Sequence, residues 1–326
     1  MTKIFAVFAV LFPLAVLFPV SGAAQTYPNR ALRMIVPFAP GGASDFVGRI
    51  LQPRMSELFG QQVVVENRGG AAGNIGVEAA ARAAPDGYTF LLGNIGSTAI
   101  NPSVFPNLQV LPTRDLIAVS QVADVPSVLV AHPSFPPNNI REVIDYARAN
   151  PGMLNYASPG SGSQNRLEME VLRELAGLNM VHVPYKAGAG PALTGLVGGE
   201  THLMFVTASS AVGHVRAGRL KALAVSTPKR MEQFPSAATT EEQGFPDLKA
   251  SSWQGIFLPV GTPKDIVDRM HSVTLQTMAS PEVVQRLNNG GVIVTTSASP
   301  AAFAEFVVAE TQRWARVVKD SGATAD

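Results

Sequence analysis

The chain has 326 residues, 46% hydrophobic and 15% charged, with 25 lysines and arginines against 24 aspartates and glutamates and no cysteine. The length gives room for two domains, while the charge balance leaves no electrostatic footprint for nucleic acid or for an anionic membrane surface. The absence of cysteine excludes disulfide staples and thiolate chemistry.

The first segment stands apart. Lys3 is the only charge in residues 1–24, residues 4–20 (IFAVFAVLFPLAVLFPV) are almost wholly apolar, and the small residues SGAAQ follow. This is the layout of a secretory signal peptide, with cleavage expected near Ala23–Gln25. An uncleaved membrane anchor is the alternative reading, against which stand Pro13, Pro19 and the small-residue exit. Without Lys3 the exported chain carries 24 basic residues, 25 less one, against 24 acidic, and is formally neutral.

After Tyr27 strand and helix signals alternate. ALRMIVPF reads as a strand, and FVGRILQPRMSELFG as a helix with Val47, Leu51, Met55 and Leu58 on one face. Ser44 is the expected N-cap of that helix, Gly60 its C′ residue, and Pro53 a point of kinking. QVVVEN reads as a second strand, VEAAARAA as a second helix and YTFLLGN as a third strand. This βαβαβ order calls for a parallel sheet covered on both sides. PSVLVAH then reads as a strand, and NNIREVIDYARAN as a helix with Asn139 and Glu142 placed for a capping box. MLNYASP, VHVPY, THLMFV, LKALAVS and SWQGIFLPV read as further strands, and from Pro263 the pattern is helical except for VIVTT at 292–296. Two α/β units therefore follow one another. The helical tail lacks a sheet of its own and is expected to pack on the first unit. That gives a discontinuous domain 1 (25–124 and 251–326) and a domain 2 (125–250), with crossings near Ala123–Pro126 and Lys249–Ser252.

Five stretches share a strand end, a turn of small residues and a helix start: PFAPGGASD, NRGGAAGNIG, GNIGSTAINP, SPGSGSQNR and PYKAGAGPA. A helix N-terminus offers unpaired N–H groups and partial positive charge, which suits an anion where small residues allow close approach. Geometry alone also explains a glycine-rich βα turn. Several such turns at the strand C-termini of two facing units point further, to a ligand site.

Other chemistry finds little support. SPGSGSQN matches a dinucleotide fingerprint only in part, with Asn165 in place of the third glycine and no acidic residue in MVHVPY. There is no GxxxxGK[ST], no GxSxG and no HExxH, and the 5 histidines show no zinc-ligand spacing. His182 in its strand reads as a hydrogen-bonded structural residue. Asp45 reads as a partner of its own helix turn rather than an acid/base partner of Glu66. Trp253 reads as partly core. No cofactor or metal is expected, and the chain is not expected to be an enzyme.

The order VPFAPGGASD, VENRGGAAGNIG, PDGYT, YASPGSGS, VPYKAGAGPALTGLVGGE and WQGIFLPVGTP resembles the periplasmic receptors of tripartite tricarboxylate transporters, the Bug family, over nearly the whole chain from Tyr27. The resemblance implies a two-domain Venus-flytrap α/β fold of type II-like form, with doubly wound sheets joined by two crossing strands. It implies a periplasmic monomer that binds a small carboxylate through backbone N–H groups, hydroxyls and water, and a partner pair of integral-membrane transporter subunits. Carried over by motif, the cleft residues are Ala39, Gly41, Gly42 and Ser44, then Asn74, then Asn94, Ser97 and Asn101. The second domain contributes Ser158, Gly160, Ser161 and Ser163, with Tyr185, Lys186 and Ala187 beside them. The chain departs from the family where relatives often carry a histidine, here Asn165. It departs again at Thr201–Val206, where both usual acidic positions are lost. Val206 is expected to face the cleft as added apolar wall, a hint of an aromatic or longer-chain acid. A ligand sensor feeding a signalling system, with the same fold and cleft, is the alternative function.

Overall fold

The computed structural model describes residues 27–160, 163–185, 188–246, 248 and 251–321. The signal-peptide reading and Ser161, Lys186 and Ala187 lie outside them. In chain order the elements are β1 (Leu32–Val36), α1 (Ala43–Phe59), β2 (Val63–Asn67), α2 (Asn74–Ala81) and β3 (Thr89–Asn94). A wide helical turn (Gly96–Ile100), α3 (Asn101–Val104) and α4 (Pro112–Asp115) lead to β4 (Leu116–Ala131). There follow α5 (Ile140–Ala149), β5 (Asn155–Ser158), α6 (Gln164–Ala176), β6 (Val181–Pro184), α7 (Ala189–Val197), β7 (Leu203–Thr207), α8 (Ala208–Arg216) and β8 (Lys221–Val225). The chain closes with β9 (Ser251–Pro259), α9 (Lys264–Met278), α10 (Pro281–Asn289), β10 (Ile293–Val294) and α11 (Pro300–Ser321). Among the described residues no helix is long and apolar enough to cross a membrane.

Strand pairing follows β2-β1-β3-β9-β4-β7-β5-β6. β1 pairs in parallel with β2 and β3, as the βαβαβ pattern requires. The path changes sheet inside β4: Leu116–Pro126 pair with β9, and Ser127–Ala131 pair with β7. One continuous strand thus belongs to two lobes.

Alternation along each strand sorts the apolar side chains onto two faces. In the first lobe Leu32, Met34 and Val36 meet α1 through Val47, Leu51 and Met55, together with Met270 and Val273 of α9. Ile35 and Leu91 point the other way, to Val77 of α2 and Phe303, Val307 and Trp314 of α11. The C-terminal helices therefore cover both faces of the first sheet. In the second lobe Leu129 and Ala131 meet α5 and α6, while Val128 and Val130 meet α7 and α8. Asn139 caps α5 by accepting from the Glu142 N–H at 2.9 Å, and Glu142 reaches back to the Asn138 N–H at 2.7 Å, one residue earlier than a simple capping box. Gly60 ends α1 in the left-handed conformation that a C′ glycine supplies without strain.

Candidate functional site

All five small-residue turns reach one cavity between the lobes, with about 530 Å³ of free space including its mouth. The first lobe gives Phe38, Gly42, Ala43 and Ser44 from the first turn, Ala72 from the second, and Asn94, Ile95 and Gly96 from the third. The second lobe gives Pro159, Ser163, Gln164 and Asn165, then Ala189 and Thr207, and Ser252 lies on the crossing strand β9. No lysine or arginine stands among these described lining residues.

The start of α1 differs from the sequence reading. Gly42 is the N-cap, with no side-chain cap, and Ser44 sits in the first turn. Its hydroxyl donates to Gln254 Oε1 at 2.7 Å, tying α1 to β9. The first helical bond runs from the Phe46 N–H to the Gly42 carbonyl, so the N–H groups before it have no acceptor within the helix. Asp45 serves its own turn: it accepts from the Gly41 N–H at 3.0 Å and is held by Arg49 at 2.9 Å and Asn67 at 3.0 Å. In the third turn Asn94 Oδ1 accepts from the Ser97 N–H at 2.9 Å, so its remaining donor is Nδ2. From the second lobe, α6 starts at the cavity with Ser163 as its N-cap, accepting from the Arg166 N–H at 3.3 Å.

Of the residues carried over by motif, Gly42, Ser44, Asn94 and Ser163 line the cavity. The others build it or lie apart. Asn101, fully buried, donates to Asn74 Oδ1 at 2.7 Å and to the Ala72 carbonyl at 2.9 Å, so both asparagines brace the second turn. Ser97 hydrogen-bonds to Asn94 within its own turn and packs beside Gly73 of the second, and neither Ser97 nor Ala39 lines the cavity. Ser158 is 2.7 Å from His182 Nε2 and accepts from the Gly160 N–H, while the His182 ring stacks on Tyr156. This fits the structural role read for His182.

Two expectations are corrected. Val206 does not face the cleft: it is fully buried among Val128, Ala192 and Ala208. Adjacent strand residues point to opposite faces, and it is Thr207, one residue on, that lines the cavity. Tyr185 also turns away, donating to Glu200 at 2.7 Å, and burial with this bond pushes its phenol up to about 12. Trp253 is 2% exposed, edge-on to Phe303, with its indole N–H on Glu310, and lines no part of the cavity.

Glycines let the lobes meet over the site. A Cβ on Gly190 would stand 2.1 Å from the Pro40 carbonyl oxygen, one on Gly41 3.6 Å from the Gly190 Cα, and one on Gly160 3.3 Å from the Ala72 Cβ. Gly41, expected to touch ligand, is thus a contact between lobes.

Ser127, Gln164 and Asn165, none of them among the residues carried over by motif, form a buried polar cluster with Glu168. Asn165 Nδ2 donates to Ser127 Oγ and to Glu168 Oε2, each at 3.1 Å, and Gln164 Nε2 donates to Glu168 Oε1 at 3.4 Å. Burial without a cation pushes the Glu168 carboxyl up to about 8, against the pull of these donors. The i, i+4 spacing of Gln164 and Glu168 was the available signal.

Two α/β lobes sharing crossing strands, closed over a cavity fed by helix N-termini, define a periplasmic-type solute-binding protein. The family model described as "Tripartite tricarboxylate transporter family receptor" matches residues 47–323, and the chain belongs to that family, whose members are periplasmic receptors and not enzymes. It is 37% identical to Protein BugT of Bordetella pertussis over 99% of this chain and 98% of that one. The periplasmic binding protein BugD superposes with a TM-score of 0.87 at 35% identity, covering 92% of this chain and 100% of that one. MatC from Rhodopseudomonas palustris, solved with bound malate, superposes with a TM-score of 0.84 at 32% identity, covering 90% and 100%.

Proposed function

We propose that this chain captures a small organic acid in the cavity between its lobes and delivers it to the membrane subunits of a tripartite transporter. One observation carries the reading: the N-termini of α1 and α6, from opposite lobes, line one cavity with hydroxyls and small residues. Each helix end favours an anion by about 0.3–2 kcal/mol. Several charge-assisted hydrogen bonds with some apolar burial reach the roughly 8 kcal/mol of micromolar binding. The malate held by MatC, a relative over the same span, supports a carboxylate as the ligand.

In this reading the lobes are residues 25–124 with 251–326, and 125–250. The change of partners inside β4 at Pro126–Ser127 supports that division. Residues 1–24 direct export and are removed. The test is thermal unfolding of the chain from Gln25 onward against di- and tricarboxylates, aromatic acids, acidic amino acids and neutral controls. A ligand at a hundred times its Kd stabilises by about 2.7 kcal/mol, a rise of a few degrees. Stabilisation by one class of acid is the expected result. Stabilisation by neutral compounds alone would refute the reading.

A further inference from the structure

The second turn, between β2 and α2, is built against the grain of its own residues. Four successive residues have positive φ: Gly70 (123°), Ala71 (46°), Ala72 (53°) and Gly73 (97°). Among the described residues Ala71 and Ala72 are the only ones with a side chain in that region. An L-residue there brings its Cβ too close to the following carbonyl oxygen, and such residues occur singly far more often than in pairs. Glycine would carry none of this strain.

The surroundings hold the turn in place from three sides. Asn101, fully buried, donates to the Ala72 carbonyl at 2.9 Å and to Asn74 Oδ1 at 2.7 Å. The Gly73 N–H bonds the Gly70 carbonyl at 3.0 Å. At the start of α2, Gly76 lies so close to the first turn that a Cβ on it would stand 2.6 Å from the Pro37 Cα. Strain that a fold over-determines in this way marks a place where the conformation itself is used.

Ala72 shows where the use lies. It is 6% exposed and lines the cavity, whereas Ala71 is exposed. It stands opposite the bare backbone of Gly160, on the β5–α6 turn of the other lobe: a Cβ built on Gly160 would meet the Ala72 Cβ at 3.3 Å and its Cα at 3.6 Å. One lobe thus offers a methyl at this point and the other offers the room for it.

We propose that Ala72 is a positioning residue of the receptor: held left-handed by Asn101, its methyl is a fixed knob that seats against Gly160 and sets how the two lobes meet at the edge of the cavity. This rests on the reading of the cavity between the lobes as the ligand site. Glycine at this position would relieve the strain, but it would remove the knob and leave the run Gly69–Gly73 with a single alanine, a turn that loses more freedom each time the lobes meet. Stability and affinity are therefore set against each other at one residue.

The experiment combines thermal unfolding without ligand and titration calorimetry on the chain from Gln25 onward, with malate, adipate and benzoate as probes and succinamide as the neutral control. Ala72→Gly is expected to melt at the native temperature or above it, and to bind the best of these acids at least fivefold more weakly. Ala72→Asn keeps a residue that tolerates the left-handed region but sets a larger side chain against Gly160. It is expected to fold normally by circular dichroism and to bind more weakly than Ala72→Gly. Native affinity in either variant would overturn the inference. So would a fall in the melting temperature of Ala72→Gly alongside its loss of affinity, the pattern of a residue that only packs. A native chain that binds succinamide and none of the acids would refute the acid-receptor reading alone, and the same comparison made with succinamide would still decide the role of Ala72.

Discussion

At the scale of single residues, Glu168 is the group whose behaviour departs most from its ordinary chemistry. It is buried in α6 with only Ser127, Asn165 and Gln164 shifting its acidity beyond burial itself. Charged and titratable groups on the neighbouring elements are occupied elsewhere: Tyr156 of β5 with Glu170, Asp124 of β4 with Ser251 and Thr295, and Glu310 of α11 with the Trp253 and Trp314 indoles. The folded chain holds the Glu168 proton up to about pH 8, whereas an unfolded carboxyl releases it near 4.5. Between those values the folded state binds more protons, so stability falls as pH rises, by up to about 1.4 kcal/mol per unit. Glu168→Gln, a mimic of the protonated acid, is expected to flatten that decline and to be more stable than the native protein at pH 8. Urea unfolding from pH 5 to 8 measures it, and parallel curves for the two proteins would contradict the assignment. In the sequence only the i, i+4 spacing from Gln164 marked this group, because a glutamate in an amphipathic helix that also carries Glu170 and Glu174 has the look of a solvent-facing residue. Only the packing of α6 against Ser127 shows that it is buried.

At the scale of elements, period and punctuation made most of the fold legible. β1 alternates its apolar residues between two covered faces, Asn139 caps α5, and Gly60 stops α1, each for a local reason. The first half of β4 was not legible. Ser120, Gln121 and Asp124 break the apolar run there, and beyond bonds to one another their partners are Ser251 of β9 and Ser297 and Thr295 near β10, far along the chain. At the site the small-residue turns were readable as a group, but which side chain faces the cavity was not. Val206 and Thr207 differ by one position and by one whole face of a strand. Ser44 shows the same limit, since two residues of shift in the start of α1 turn an expected cap into a brace. If the Ser44–Gln254 bond joins α1 to β9, Ser44→Ala should cost about 1–3 kcal/mol by stranding a buried acceptor. The double variant with Gln254→Leu should recover part of that loss. Strict additivity of the two losses in urea denaturation would show that Ser44 acts alone.

At the scale of the whole molecule, the account requires that the lobes close on the ligand, and the glycines mark where they touch. Gly190 lies in α7, where alanine suits the backbone better than glycine. Only the approach of the Pro40 carbonyl forbids a side chain there. Gly190→Ala should therefore fold normally by circular dichroism yet bind ligand at least tenfold more weakly, a cost of about 1.4 kcal/mol or more. Native affinity in that variant would remove closure from the mechanism. Beneath closure stands the central claim, that the cavity recognises a carboxylate through helix N-termini and hydroxyls. Its most direct test is titration calorimetry of the chain from Gln25 onward with the best-stabilising acid and with that acid's primary amide. Micromolar binding of the acid and at least tenfold weaker binding of the amide are predicted, since hydrogen bonds to a charged group are worth about 1.5–3 kcal/mol each. Equal affinity for the two would contradict the account.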